Sequence, residues 1–248
     1  MNFKKASLNI ENAIFPAVIT ILSFIFFIIT YYFVTVKSVE PYYLIGLIFG
    51  IPAAVFSIIT YYTAKGILRI STSAIVTIIL IIIFGIIMFV TFIIISIDAA
   101  TTITTDIARY ERVLKLMGYP ENSLIKQFPA KIPNNAEYIV FSYSTPLMQG
   151  GEIFNLGFKA DSDYISKYVE DLSVTAKWIG KINDDEVKNN GVELISFEAF
   201  GYDELPEDFT IYLLESKPQA LGDWNHGSIS LMAINQNKNE IIFVAEDW

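Results

Sequence analysis

No cysteine occurs anywhere in the 248 residues, which excludes disulfides, thiolate nucleophiles and Cys-ligated zinc together. Histidine occurs once, at His226, so a zinc site would have to be built almost entirely from carboxylates. A phosphate-cradling loop is missing as well, because Gly150-Gly151 lacks the following Lys and helix that such a loop needs. Charge is scarce in the first 97 residues, which carry Lys4, Lys5, Lys37, Lys65 and Arg69 against Glu11 and Glu40. Of the chain's 17 basic and 26 acidic residues, 5 and 2 lie there, leaving 12 and 24 for residues 98–248, a net of −12. A domain that acidic repels phosphate backbones, so nucleic acid is not an expected partner.

The first 97 residues are filled instead by long apolar runs. Residues 72–97 hold no charged side chain, and 12 of them are Ile. At about 1.5 Å per residue such a run reaches roughly 39 Å, more than the ~30 Å of a bilayer's hydrocarbon core. Two further runs, at residues 13–36 and 42–63, complete a three-span anchor. The first is too long for a signal peptide and lacks a small-x-small cleavage site after it. Paired tyrosines at 31–32, 42–43 and 61–62 stand at span ends, as interfacial aromatics do. Lys4, Lys5, Lys65 and Arg69 lie on one side of these spans and Lys37 on the other. By the positive-inside rule, the N-terminus is cytoplasmic and the C-terminal domain extracytoplasmic. No charged residue lies within residues 13–36, 42–63 or 72–97, which suits an anchor in a lipid bilayer better than an ion pathway. Gly46, Gly50 and Ala54 recur every four residues in span two, a small-residue stripe that lets a neighbouring helix pack closely. Pro52 is expected to kink that span.

Beyond the membrane, apolar spacing from Ile103 to Met117 predicts a stalk helix across residues 98–118. Residues 119–248 then read as an α+β domain with a mainly antiparallel sheet. Strands are expected at residues 137–144, 152–159, 192–200, 209–215, 227–234 and 240–246, with one principal helix after Asp161. A helix on one face would leave the opposite face or an edge of the sheet open.

Chemistry is harder to find. His226 is the one candidate base, with Asp223 and Ser228 nearby in sequence, but the spacing fits no nucleophile elbow. The same residues also read as a turn entering a strand. No metal-ligand constellation and no cofactor motif is present. The connection at residues 144–151 is the candidate binding loop: Leu147 and Met148 offer adjacent apolar side chains, and Gly150 and Gly151 permit close approach. Tyr119, Tyr143, Trp178, Tyr202, Trp224 and Trp248 could line a groove, or simply pack.

Four short stretches carry a resemblance: residues 128–136 (FPAKIPNNA), 148–151 (MQGG), 223–227 (DWNHG) and 239–248 (NEIIFVAEDW). They resemble a group of uncharacterised membrane-anchored proteins of low-GC Gram-positive bacteria, over residues 120–248 alone. The resemblance implies an exported domain on a bacterial cell membrane and carries over no activity or site residue. The residues thus point to a membrane-anchored extracytoplasmic binding or interaction module without catalysis, alone or within a membrane complex, with a protein partner in the membrane or at the cell surface. The alternative is a cell-surface hydrolase using His226 with Asp223.

Overall fold

A computed structural model describes residues 9–145, 151–218, 220, 223 and 226–248, without the side chain of Lys188. The chain divides into two units, Met1–Ala99 and Ala100–Trp248.

In the first unit, three helical spans are long and apolar enough to cross a membrane: Ile10–Lys37, Tyr43–Ala64 and Ile70–Thr101. Span one is mostly α1 (Ile14–Tyr32). Span two is interrupted: α2 (Tyr43–Gly46), a 3-10 stretch (Leu47–Gly50), then α3 (Ile51–Ala64). Pro52 sits in the first turn of α3, where its missing N–H costs little. The change of helix type therefore precedes the proline. The small residues do meet a helix, and it is α1 of the same chain. A Cβ on Gly46 would lie 3.0 Å from the Tyr31 ring, and one on Gly50 3.4 Å from Phe27. Ala54, expected on that stripe, is exposed, and Ala53 is buried instead. The three-residue turns of the 3-10 stretch advance the packed face by one position.

The third span is α4 (Ile70–Thr101), whose buried residues are Ser73, Thr77, Met88 and Ile95. It meets the α1–α3 pair through side chains: Phe84 packs edge-on against Phe56, and the Thr63 and Ser73 hydroxyls hydrogen-bond at 2.8 Å. At the other end the Tyr42 hydroxyl donates to Asp98 at 2.6 Å. Most of its isoleucines face outward, as lipid contact requires.

The second unit corrects the stalk. α4 stops at Thr101, and no continuous helix runs through residues 98–118. Residues 101–105 are Thr-Thr-Ile-Thr-Thr, all β-branched and better suited to extended backbone. A short helix, α5 (Tyr110–Leu116), follows and buries Tyr110, Val113 and Leu114. Residues 100–118 are thus part of the second unit.

That domain holds a six-stranded antiparallel sheet: β1 (Glu137–Ser144), β2 (Glu152–Lys159), β3 (Trp178–Gly180), β4 (Thr210–Lys217), β5 (Ser228–Asn235) and β6 (Glu240–Asp247). Their order is β1-β2-β6-β5-β4-β3. The connection from β2 to β3 is α6 (Ser162–Thr175), which carries the chain from one half of the sheet to the far edge. Asp161 takes the N-cap position, but its carboxylate accepts from the Asn135 amide rather than from the helix. Thr104 adds a bridge at the β1 edge, exchanging two 2.9 Å backbone hydrogen bonds with Tyr143.

Five of the six expected strands are present. The sixth, residues 192–200, is a cover: 3-10 turns at Val192–Leu194 and Glu198–Phe200, preceded by α7 (Glu186–Asn189). Gly191 (φ 75°) and Gly201 (φ 81°) turn the chain at its ends. Val192, Ile195 and Phe197 then pack on Ile211, Leu213, Ile229, Leu231, Ile242 and Val244. The face opposite α6, expected to be open, is therefore sealed over β4, β5 and β6. The sixth strand is instead β3, three residues long and too short to register as a period-2 run. The other face is aromatic. Phe128 stacks on Phe154 at 4.5 Å, Tyr110 on Phe154 at 5.8 Å, and Phe158 on Phe243 at 5.8 Å.

Candidate functional site

The sequence candidates do not converge. His226 is exposed in a left-handed conformation (φ 62°) just before β5, and its side chain has no hydrogen bond to Asp223 or Ser228 among the described residues. Asp223 is exposed and exchanges backbone hydrogen bonds with Ala220. Ser228 pairs across the ladder with Asp247 and Lys217. Leu147, Met148 and Gly150 lie outside the described residues. Gly151 is bare for packing: a Cβ there would come within 2.7 Å of the Asp247 carbonyl and 3.0 Å of Trp248. Of the aromatic candidates, Tyr143 is buried with its hydroxyl on Glu152, and Tyr202 donates to Glu240 at 2.9 Å. Trp178 and Trp248 pack against the aliphatic face. Trp224 lies outside the described residues. Among the described residues no cluster of three or more His, Asp or Glu could hold a metal ion.

Among the described aromatic candidates, Tyr202 lines a small cavity of about 220 Å³ beside Phe200, and Tyr119 leads to a larger one. Tyr119 is part of a cleft of about 620 Å³ on the aromatic face, between α6 and residues 119–130. One wall comes from α6, with Tyr164, Lys167, Tyr168, Asp171 and Thr175; the other is Tyr119, Lys126, Gln127, Pro129 and Ala130. The floor is Phe128, Leu172 and Leu214. Phe128 and Leu172 are core residues that show only an edge here. Leu214 reaches the cleft by the alternation of β4, on the face opposite Leu213, and the β4–β5 register slips beside it, between Leu213 and Glu215.

The walls are held from below. The Gln127 amide donates to the Leu124 carbonyl at 2.7 Å and to the Ser230 hydroxyl, and Ser230 in turn donates to Leu124 at 2.8 Å. The Tyr110 hydroxyl donates to the Pro129 carbonyl at 2.6 Å. Strand β5 and helix α5 thus fix the residue 124–129 wall from two directions. Burial pushes the Tyr164 and Tyr168 hydroxyls above the usual phenol value, and the Tyr164 hydroxyl adds to the rise at Tyr168. Both stay neutral and serve as hydrogen-bonding groups, not as bases. Lys126 and Lys167 are exposed at the rim and pair with no carboxylate among the described residues.

What the cleft offers is shape, apolar floor, hydroxyls and two cations; no nucleophile is set beside a base. Sequence reasoning passed over Tyr164, Lys167 and Asp171. The spacing of Tyr164, Tyr168 and Asp171 along α6 could have marked a second ridge beside the buried Ile165–Leu172 stripe. Models of known protein families, curated proteins and solved structures were compared with this chain, and none matches.

Proposed function

We propose that this chain is a membrane-anchored, extracytoplasmic binding module that holds its ligand in the cleft between α6 and residues 119–130, without catalysis. The cleft itself carries the reading. Its volume of about 620 Å³ falls within the ~300–1,000 Å³ of small-molecule sites, and an apolar floor under a few polar groups is the usual lining of such sites. The extracytoplasmic placement rests on Lys65 and Arg69 between spans two and three, against Lys37 alone in the other turn. The resemblance of residues 120–248 to exported bacterial domains supports the same side.

A photoreactive residue at Thr175, in the full chain in living cells, tests the reading. Thr175 lines the cleft, while its neighbour Val174 points to solvent, 86% exposed. Thr175 should yield an adduct of defined mass that Tyr164→Ala diminishes. Adducts no more frequent or uniform than those from Val174 would refute a ligand in the cleft.

A further inference from the structure

The cleft presents two kinds of surface, and their arrangement names a class of ligand. Its floor, Phe128, Leu172 and Leu214, is wholly apolar. Its two cations come from opposite walls, Lys126 from the residue 119–130 segment and Lys167 from α6. The domain around them is strongly acidic, with 24 acidic against 12 basic residues after residue 97. Several of the other cations are already engaged: Arg109 with Asp106, Lys217 with Glu215, Lys238 with Asp208, and Lys159 over the Tyr138 ring. Asp171 also lines the cleft, one turn along α6 from Lys167, yet no ion pair within 4 Å joins them. The cleft therefore carries a local positive excess above an apolar base, within a domain of the opposite sign.

Resting on the binding-module reading, we propose that the cleft binds an amphiphilic anion. The ligand's apolar part lies on Phe128, Leu172 and Leu214, and its phosphate or carboxylate is held by Lys126 and Lys167. A simple inorganic anion leaves the floor unfilled, and a neutral amphiphile leaves both ammonium groups unused. Only a molecule with both parts satisfies the two surfaces, whether it is a bilayer lipid or a soluble amphiphile.

The cysteine-free chain makes the test direct. Thr175→Cys places a single thiol at the cleft for an environment-sensitive fluorophore. The labelled full-length protein, in phosphatidylcholine nanodiscs, is titrated with octyl phosphate, octyl glucoside and inorganic phosphate. Octyl phosphate should bind about tenfold or more tighter than either of the others, the gain expected from a charge-assisted hydrogen bond. Lys126→Gln combined with Lys167→Gln should reduce octyl phosphate to the level of octyl glucoside and leave octyl glucoside unchanged. Equal binding of the two octyl compounds by the unsubstituted cleft overturns the anion assignment while the binding-module reading stands. No saturable response to any of the three overturns the inference, and the Thr175 crosslink then decides the broader reading separately. Nanodiscs doped with phosphatidylglycerol separate the sources. A lost octyl phosphate response supports occupancy by a bilayer lipid, and a retained response supports a soluble amphiphile.

Discussion

Glu246→Gln should stabilise the sheet domain at neutral and alkaline pH and leave it unchanged at pH 4. Glu246 lies on β6 between Ile153 of β2 and Ile229 of β5, and it is 5% exposed. Burial pushes its carboxyl up from the ordinary 4.5 to about 7, with the Trp248 side chain offsetting part of the rise. The folded domain therefore holds this proton where the unfolded chain releases it. Below about pH 4.5 both states are protonated and the group costs nothing. As pH rises from 4.5 to 7, the unfolded chain gains stability by ionising and the folded domain does not. Above 7 the cost is complete. At 1.36 kcal/mol per pH unit it amounts to about 3 kcal/mol. Gln keeps the volume and removes the charge. Its amide also offers a donor close to Asn155, whose Oδ1 is buried without a partner and whose place in the ladder, opposite Val244, is diagonal to Glu246. The assay is denaturant unfolding of the full chain in nanodiscs, followed by tryptophan fluorescence. Trp178, Trp224 and Trp248 all lie after residue 99, so the signal reports this domain alone. The difference between the two proteins should grow from near zero at pH 4 to about 3 kcal/mol at pH 8. A difference independent of pH, or a less stable Gln variant at pH 8, would refute the reasoning.

Three further outcomes are expected. Residues 119–248 expressed alone should not fold while residues 100–248 should, because Tyr110 is 2% exposed inside the aromatic face; in the full chain Tyr110→Ala should cost about 3–5 kcal/mol in the same unfolding assay. Gly157→Ala should destabilise by about 1–3 kcal/mol, since a Cβ there would sit 2.7 Å from the Phe200 ring; an unchanged midpoint would mean that Phe200 moves freely. Single cysteines at Ser38 and Asn237 should react with an impermeant reagent in intact cells and one at Lys65 should not, the reverse pattern inverting the topology.

Much of this fold was legible because its physical constraints are severe. Lipid leaves a spanning segment no polar alternative, so run length alone located three helices. The β5–β6 hairpin was equally readable, two apolar runs separated by Asn-Gln-Asn-Lys-Asn. Failures came where one local pattern serves two structures. Residues 192–200 are as apolar as a strand, yet they cover a sheet instead of extending it, and only the partner surface decides between the two. Residues 101–118 show helical spacing, but the β-branched run at their start releases the chain to pair Thr104 with Tyr143. Ala54 was misplaced for a smaller reason, one stretch of 3-10 helix in the middle of a span.

The cleft escaped the sequence because no single segment contains it. Lys126 and Lys167 are 41 positions apart, and Leu214 comes from a third segment, β4, beside a slip in register that no residue type announces. Its position nonetheless follows from the sheet. β5 and β6 are buried along nearly their whole length, and half of β4 is, so both faces must be covered. The aliphatic face is closed by residues 187–209. The aromatic face has to be closed by three separate pieces: α5, residues 119–130 and α6. Tyr168 of α6 packs edge-on against Phe243, while Phe128 from the neighbouring segment packs on Phe154 and on Phe243. The two pieces therefore share one ring of the sheet beneath them, Phe243, and diverge above it. A layer assembled from separate pieces leaves a seam, and here the seam opens over Leu214, at the one irregularity in β4. Straightening β4 by deleting Leu214 should restore a regular β4–β5 ladder and remove the floor of the cleft. Loss of labelled-Thr175 responses with the domain's unfolding midpoint retained would place the binding surface at that seam. Retained responses in a folded deletion variant would show that the bulge contributes nothing to it.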